Sequence, residues 1–350
     1  MQASIIVIFL VSLALSVLIV FLAHKKQWFL NACDSTGVQK FHHQPTPHVG
    51  GIAVFFSFLM GVLLLPGDLQ DTLLPLLLVA TLVFLVGLAE DWSARVSPFT
   101  RLLFIFVALI VSFFSFDIGV FSLGFSWVDY FLSYPVVGLA FTLLVVGGAV
   151  NALNVIDGYN GLMAGYALLV LLAMGLVAYQ LGDILILQTS MLFAAAIAGF
   201  FALNFPFGKL FMGDGGAYFI GFMLSMIGLV FVDRHDNLSN WFVLALLMYP
   251  MYELLFSVYR KRIIHGSPAS QPDAYHLHML IYKTVVSRNP NRAKVINNSM
   301  TSPFLWLLSL VSIIPAVFWY DNREALIILS CVFMIIYTIV YSWISNKNSL

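Results

Sequence analysis

Charged side chains are scarce in this 350-residue sequence: only 9% of its residues are Asp, Glu, Lys or Arg, whereas 61% are hydrophobic. Water-soluble domains carry about 25% charged residues, so this fraction excludes an ordinary soluble globule. The formal net charge is zero, and without a basic excess nucleic acid is not an expected partner. A mean hydropathy of +0.97 instead indicates a protein solvated by membrane lipid.

Cysteine is nearly absent as well. Cys33 and Cys331 are the two cysteines, and they imply neither a disulfide framework nor a metal knuckle. The HExxH pattern is missing, which excludes an intramembrane zinc protease of that type. No cleavable export signal is predicted, because Ser4–Ala23 is long enough to span, has no basic residue before it and is followed by Lys25 and Lys26.

Long apolar segments fill the rest of the chain. A spanning helix needs about 20 largely apolar residues, and backbone groups in hydrocarbon are satisfied most simply within a helix. The sequence therefore predicts an all-α polytopic membrane protein, a single domain over residues 1–350 with about eleven transmembrane helices. Asp117–Tyr130, which alternates around two glycines, is predicted as a small surface hairpin or elbow. The predicted spans are Ser4–Ala23, Gly50–Leu65, Thr72–Ala89, Thr100–Phe114, Pro135–Val150, Leu162–Gln180, Ile184–Leu203, Tyr218–Val232, Trp241–Tyr259, Pro303–Phe318 and Ala325–Ile344.

The basic residues predict the orientation. Of the sixteen Lys and Arg residues, fourteen fall in one set of loops, and only Arg234 and Arg323 fall in the other. Loops rich in Lys and Arg stay in the cytoplasm, so we expect the N-terminus outside and the C-terminus in the cytoplasm. For a bacterial inner membrane, the N-terminus would then be periplasmic.

Unusual polar residues share the predicted cytoplasmic face. A random scatter would divide them between the two sides, and polar clusters at membrane level usually mark functional sites. The set comprises His42, His43, His48, Glu90, Asp91, Asn151, Asn154, Asp157, Asn160, Asp214, Asp273, His276 and His278.

Asp214 is the central carboxylate of this set. It lies in FMGDGG, residues 211–216, whose glycines would let backbone N–H groups approach a bulky anion. Glu90 and Asp91 are adjacent carboxylates that need a cation or strong donors to ionise together. Taken singly, these features also fit a turn and a solvated helix end; on one face with Asp157, they indicate hard oxygen ligands suited to Mg²⁺ or Mn²⁺ rather than Zn²⁺.

Two further stretches supply groups for a phosphorylated substrate. In NALNVIDGYNG, residues 151–161, a spacing of three puts Asn151, Asn154 and Asp157 on one flank of a helix that ends near Gly158. Such amides could simply cap or join helices, but three in register favour the wall of a ligand site. The His276-Leu-His278 pair lies among basic residues, which favours contacts to phosphate oxygens over zinc. Carboxylates and cations together predict a metal-bridged phosphoryl site.

Five stretches, in this order, resemble motifs of the polyprenyl-phosphate N-acetylhexosamine-1-phosphate transferases of glycosyltransferase family 4. Their sequences are PTPHVGG (45–51), GLAED (87–91), NALNVIDGYNG (151–161), FMGDGG (211–216) and SPASQPDAYHLHML (267–280). The last one is most similar to the branch that initiates O-antigen and teichoic-acid synthesis.

The resemblance implies transfer of a sugar-1-phosphate from a UDP-N-acetylhexosamine to undecaprenyl phosphate, with release of UMP. It implies Mg²⁺, with Mn²⁺ as an alternative, held by Asp214 and Asp91. Glu90, Asp91, Asp157 and Asp214 would be the catalytic residues. The residues that bind substrate would be Asn151, Asn154, Asn160, Lys209, Arg262, His276 and His278.

Three positions depart from the family pattern: Glu90 replaces an aspartate, Asn160 replaces an aspartate, and Met279 replaces a third histidine. They leave open the identity of the sugar, whether GlcNAc, GalNAc or a 6-deoxy derivative. Glu253 lies inside a predicted span, about 10 Å from its end, and a hydrogen bond between helices is the role suggested for it.

Alternatives from other classes stay open at this stage. A transporter for a nucleotide-sugar or anion would place ionisable residues near the midplane on broken helices, whereas here most lie at span ends. The denser aspartate run of CDP-alcohol phosphotransferases is absent. An inactive structural relative is compatible with the sequence, as is a homodimer.

Overall fold

The computed structural model describes residues 2–26, 46–93, 95–264, 266, 268, 274–287 and 293–348. In these ranges the chain is helical apart from its connections. The helices are α1 Gln2–Lys26, α2 Gly50–Leu63, α3 Gly67–Ser93, α4 Pro98–Phe116, α5 Ser126–Leu132, α6 Pro135–Ile156, α7 Leu162–Leu181, α8 Ile184–Asn204, α9 Gly213–Asp233, α10 Asn240–Leu246, α11 Met248–Tyr259, α12 Leu277–Ile281, α13 Lys294–Met300, α14 Ser302–Phe318 and α15 Arg323–Asn348. Wider π-type turns, Arg260–Ile264 and Tyr282–Val286, extend α11 and α12.

Every predicted span is helical, but the count of spans differs from eleven. Within the described ranges, nine helices are long and apolar enough to cross a membrane, and α10 with α11 forms a tenth candidate bent by 72°. Helix α2 has only 14 residues, or about 21 Å, which is short of a hydrocarbon core of about 30 Å. The prediction of a full span at Gly50–Leu65 is therefore wrong in length.

The bend between α10 and α11 has a local cause in the sequence. Pro250 has no backbone N–H and cannot bond the carbonyl four residues earlier, which belongs to Leu246. The buried hydroxyl of Tyr166 donates to that carbonyl instead. The freed backbone group is thus satisfied from α7, and the helix axis turns at Leu247.

Helix α9 lies at the centre of the bundle, with α2, α3, α6, α7 and α10 packed around it. Two contacts bring backbones together without side chains between them. A Cβ added to Gly51 would lie 2.3 Å from the Cα of Gly216, and one added to Gly87 would lie 2.5 Å from the Cα of Gly215. Two of the glycines in FMGDGG therefore serve helix packing, in place of the approach to a bulky anion that the sequence suggested.

The segment after α4 is an elbow, not a hairpin, and no β-strand occurs in the described part of the chain. Residues 117–125 lead into the short helix α5, where Asp129 accepts hydrogen bonds from Leu123 N at 2.6 Å and Ser122 Oγ at 2.9 Å. Trp127 and Tyr130 on α5 are exposed. Aromatic side chains of this kind are typical of the membrane–water boundary.

The bundle has two polar ends. At one end, the end of α3 and the starts of α4 and α9 meet through Asp91, Arg101 and Asp214. At the other, the α7–α8 turn meets the end of α9 through Asp183 and Arg234. We call these the site end and the opposite end.

Candidate active site

A cavity of about 510 Å³ opens at the site end. Its wall combines carboxylates, amides and imidazoles from six separate stretches of the chain, so the predicted clustering of polar loops is present. The lining residues are His48, Asp91, Asn154, Val155, Asp157, Gly158, Tyr159, Asn160, Asn204, Phe211, Met212, Gly213, Asp214, His276, His278 and Met279.

Asp214 lies in the first turn of α9 with 30% of its side chain exposed. Its Oδ2 accepts from Arg101 Nη1 at 2.5 Å, and its Oδ1 accepts from Asn154 Nδ2 at 3.0 Å. Negative charge at a helix N-terminus is favourable, and the arginine adds a direct ion pair. Asp214 is thus held between α4 and α6, where it faces the cavity.

Asp91 is placed differently from the prediction of a metal ligand. Its Oδ1 accepts from the backbone N–H of Asp214 at 2.8 Å, and its Oδ2 accepts from that of Gly215 at 3.0 Å. These are two of the N–H groups that a helix start leaves without intrahelical partners, so Asp91 caps α9 from α3. Gly213 makes this possible, because its φ is +80° and an added Cβ would lie 2.6 Å from Asp91 Oδ2.

Glu90 lies beside Asp91 but faces another way. Its Oε2 accepts from the backbone N–H of Val96 at 2.7 Å, and its side chain does not line the cavity. The adjacent carboxylates therefore point in different directions and bond to different partners. Glu90 fastens the α3–α4 connection, so the structure does not support a direct catalytic contact for it.

Asp157 follows the last residue of α6 and is half-buried in the cavity wall. Burial, together with the negative charges of Asp214 and Asp91, raises the pKa of Asp157 well above its ordinary value. A carboxyl in this position ionises readily only when a cation enters. Asp157 therefore adds to the site an acidic group that positive charge would activate.

The three asparagines of the NALNVIDGYNG stretch have different partners. Asn154 contacts Asp214 as described, but Asn151 donates to Gly147 O of its own helix at 2.7 Å and does not line the cavity. Asn160 is buried, and its Nδ2 donates to Ser299 Oγ at 3.0 Å. It lines the cavity and also connects the α6–α7 turn to α13. Of the predicted wall of Asn151, Asn154 and Asp157, the latter two line the cavity, and Asn160 lies beside them.

His276 and His278 both line the cavity, with parallel rings whose centroids are 5.3 Å apart. The ring of Tyr159 meets His278 edge-on at 5.4 Å. Lys209 and Arg262 are exposed and lie outside the cavity lining, so the structure does not support a direct substrate contact for them. His42, His43, Asp273 and Cys33 lie outside the described residues.

Sequence reasoning missed the roles of Arg101 and Asn204. Arg101 lies in the first turn of α4, after the cap formed by Ser97, and a lone basic residue inside the start of an apolar span was an available signal. Asn204 accepts from Gly161 N at 2.6 Å and donates to Leu210 O at 2.7 Å. It therefore joins α8 to the turn that carries Asn160, but no spacing along the chain indicates this.

The oxygen-rich wall fits a hard divalent cation that is bound by few protein ligands together with substrate phosphates. Among the described residues, no group of three or more His, Cys, Asp or Glu side chains is arranged to hold a metal ion, and both oxygens of Asp91 accept backbone N–H groups. Mg²⁺ is commonly bound by one or two carboxylates together with substrate phosphates. Asp214, with the nearby Asp157, fits that second arrangement.

The comparisons with known proteins agree with this geometry. Residues 73–232 match the glycosyl transferase family 4. A probable undecaprenyl-phosphate N-acetylglucosaminyl 1-phosphate transferase of Bacillus subtilis is 31% identical over 285 residues, which cover 78% of this chain and 76% of the relative. An undecaprenyl-phosphate alpha-N-acetylglucosaminyl 1-phosphate transferase of Yersinia pestis is 28% identical and covers 81% and 77%.

A third relative carries a different lipid in its name. A decaprenyl-phosphate N-acetylglucosaminephosphotransferase of Mycobacterium tuberculosis is 31% identical over 276 residues, which are 68% of this chain and 65% of the relative. The matched family region contains Asp91, Asp157 and Asp214.

Proposed function

The chain belongs to glycosyl transferase family 4, and we propose that it transfers a sugar-1-phosphate from a UDP-N-acetylhexosamine to a polyprenyl phosphate, specifically undecaprenyl phosphate. The observation that carries this proposal is Asp214, held between Arg101 and Asn154 at the mouth of a polar cavity. The sugar can be GlcNAc, as in the names of the relatives, GalNAc or a 6-deoxy derivative. The product would start a cell-surface polysaccharide.

In the proposed reaction, an oxygen of the lipid phosphate attacks the β-phosphorus of the nucleotide-sugar. A new P–O bond forms there, and the bond from that phosphorus to the oxygen shared with the α-phosphate breaks. UMP leaves with that oxygen, and the lipid carries a diphosphate-sugar. A phosphate monoester with a second pKa of about 6 is largely dianionic at neutral pH, so the attacking group needs little help from a general base.

We propose Mg²⁺ as the cofactor, with Mn²⁺ as a substitute. Asp214 and Asp157 would hold the ion. Asp157 takes the place of Asp91, which the sequence predicted as a ligand, because Asp91 caps α9. The bound ion would neutralise charge that develops on the phosphoryl oxygens.

The protein's own groups then bind and orient the substrates. Arg101, which pairs with Asp214, can redirect its fork of donors to a phosphate oxygen. Asn154 fixes the direction of the Asp214 carboxylate. His276 and His278 are proposed to bind the diphosphate of the nucleotide-sugar. Positioning and charge stabilisation of this kind can supply most of the rate.

We place the site on the cytoplasmic side of a bacterial inner membrane, where nucleotide-sugars are available. Support comes from the basic residues, since Arg234 and Arg323 are at the opposite end, while Arg95, Arg101 and Arg260 are at the site end. Cytoplasmic loops carry such an excess. The homodimer stays a prediction.

The proposal is tested with purified protein, undecaprenyl phosphate and a panel of UDP-sugars, by following UMP release with and without Mg²⁺. We expect UMP release with at least one UDP-N-acetylhexosamine, dependent on both the lipid and the metal. Asp214→Asn should lower turnover by about 10³-fold while the variant still folds and shows a cooperative thermal unfolding transition. The matched control is Asp236→Asn, which alters an exposed carboxylate at the opposite end.

Two results would contradict the proposal. One is near-normal UMP release by Asp214→Asn. The other is movement of intact UDP-sugar across liposomes without any lipid-linked product, which would support the transporter alternative instead.

A further inference from the structure

Glu253 is a carboxylate deep in the helical bundle, and both of its oxygens accept hydrogen bonds. Glu253 lies on α11, after the bend at Leu247, and is only 1% exposed. Its Oε1 accepts from His276 Nδ1 at 2.9 Å and from Leu277 N at 3.2 Å, and its Oε2 accepts from Tyr337 OH at 2.7 Å. A buried charge is costly unless it is hydrogen-bonded in this way, so these three donors stabilise the carboxylate.

His276 is the partner through which Glu253 reaches the site. It precedes the short helix α12, and the bond from Leu277 N means that Glu253 also caps the start of that helix. The ring of His276 stacks in parallel on the ring of His278, which in turn contacts Tyr159. Fixing the plane of one imidazole therefore restrains the other, and both rings line the cavity.

The last span completes the assembly. Tyr337 lies in the middle of α15 and is fully buried. Its hydroxyl holds the second oxygen of Glu253, while its ring meets that of Tyr252 on α11 edge-on at 5.0 Å. Three parts of the chain, α11, the segment with His276 and the more distant helix α15, thus share one buried carboxylate.

We propose that Glu253, locked by Tyr337, is a positioning residue that keeps the proton of His276 on Nδ1 and so presents Nε2 to the substrate cavity. The inference rests on the proposed function for its consequence in turnover, but the ring geometry can be measured separately. The alternative role is simple packing of α11 against α15.

The physical reason lies in the two nitrogens of imidazole. A carboxylate bonded to one ring nitrogen fixes both the tautomer and the orientation of the ring. The nitrogen directed away from Glu253 is Nε2, on a residue that lines the cavity. When the ring is doubly protonated, Nε2 can donate to a phosphate oxygen while the buried carboxylate balances the charge. Without Glu253, the ring can rotate or change tautomer, and the contact is lost for part of the time.

The first test is a double-mutant cycle on UMP release with Glu253→Gln, His276→Asn and the double variant. Gln preserves shape and removes the charge, while Asn keeps a donor near the position of Nδ1 and removes Nε2. We expect Glu253→Gln to lower kcat by about 10–100-fold. The double variant should be no more than about 3-fold slower than His276→Asn, because two residues that act as a unit are not additive.

Matched controls separate positioning from packing. Glu324→Gln makes the same chemical change at an exposed position of α15 and should leave kcat unchanged. Tyr337→Phe removes one hydrogen bond and should lower kcat by about 3–10-fold with the His276 bond intact. Losses that multiply in the double variant, or a normal kcat in Glu253→Gln, would overturn the proposal.

A second measurement needs neither a folded Glu253 variant nor catalysis. Nitrogen NMR of the wild-type protein with ¹⁵N-labelled histidine, assigned through His276→Asn, reports which ring nitrogen carries the proton. We expect the neutral ring of His276 to be protonated at Nδ1. Protonation at Nε2 would overturn the proposal even if the wild-type protein transfers sugar phosphate. The expected tautomer would support it even if the substrate pair is different.

Discussion

The two ends of the helical bundle treat carboxylates in opposite ways. At the opposite end, Asp183 is buried and accepts from Arg234 Nε at 2.7 Å, His235 Nε2 at 2.8 Å and Ile186 N at 3.1 Å. At the site end, Asp91, Asp157 and Asp214 share one cavity. The single acid Asp183, with two basic partners, connects the α7–α8 turn to the end of α9. Several acids around a cavity leave negative charge for a ligand to neutralise.

The pKa directions follow this contrast. Burial alone would raise the pKa of Asp183, but hydrogen bonds from Arg234, Ile186 and His235 lower it below its ordinary value. At Asp157, burial and neighbouring negative charges both raise the pKa. The opposite end is therefore built for stability, whereas the site end keeps an electrostatic cost that a bound cation would relieve.

The largest expected effect comes from neutralising the site-end acid. Asp157→Asn should lower turnover by about 10²–10³-fold without lowering the thermal midpoint, because no stabilising ion pair is lost. In the wild-type protein, Mg²⁺ binding should also be linked to proton release in the pH range below the raised pKa of Asp157, since the cation favours the ionised carboxylate. Calorimetry in buffers of different ionisation enthalpy measures that proton, and the Asp157→Asn variant should not release it. Equal proton release by both proteins would contradict the role of Asp157 as the acid that a bound cation ionises.

Arg101 gives the next largest effect. Arg101→Gln should lower turnover by about 10–100-fold, because it removes charge and bidentate donors close to Asp214. Arg234→Gln is the same substitution at the opposite end and should leave turnover of the folded protein unchanged. UMP release by the two variants at saturating Mg²⁺ measures the difference. Similar turnover in both would mean that Arg101 serves only to hold α4 against α9.

Asp183→Asn should affect stability and not catalysis. Loss of the charged hydrogen bonds should cost about 2–3 kcal/mol of unfolding free energy at neutral pH. Because folding lowers the pKa of Asp183, its contribution is present above the ordinary carboxyl value of about 3.9 and disappears as pH falls through the lower folded value. The difference between wild type and variant in thermal unfolding should therefore narrow on acidification.

The exposed Asp236→Asn again provides the control at that end, with no change in unfolding expected. A stability gap for Asp183→Asn that widened on acidification would contradict the assigned ion pair.

The smallest effect is expected at Glu90. Glu90→Asp should change turnover by no more than about 3-fold, since Glu90 bonds Val96 N outside the cavity and a single hydrogen bond is worth little. Asp91→Glu, the reciprocal change beside it, should cost about 10²-fold, because a longer side chain displaces the start of α9. The measurement is a direct comparison of UMP release by the two variants. A slower Glu90→Asp enzyme would contradict the roles assigned to Glu90 and Asp91.

Much of the site could be predicted from residue type and position in the chain. Asp157, Asp214, Asn154 and the two histidines of the last loop line the cavity as expected, because span ends on one face must come together. Asn151 could not be separated from Asn154 by spacing, since the choice between its own helix and the cavity depends on the neighbour that α9 supplies. Met279, which stands where the family pattern has a third histidine, also lines the cavity.

Other predicted roles changed because the residues concerned make contacts between helices instead of contacts to a ligand. The carboxylate of Asp91 is taken by two backbone N–H groups of α9, and Gly215 and Gly216 are taken by helix contacts. The count of spans changed where Pro250 breaks one segment and where α2 ends early. Hydropathy averages over a window and does not register a single missing N–H.

The sequence by itself determined the helical membrane class, the two chemically distinct ends and the set of polar residues from which the site is drawn, because the cost of leaving backbone and charge in lipid is large and local. Tertiary structure alone decided which of two adjacent acids faces the cavity, that Arg101 reaches Asp214, and that Glu253 joins α11 and α15 to His276. The Arg101–Asp214 and Tyr337–Glu253 contacts join residues more than eighty positions apart. The Glu253–His276 contact and the choice between the two acids depend on the direction of single side chains. Spacing along the chain encodes neither.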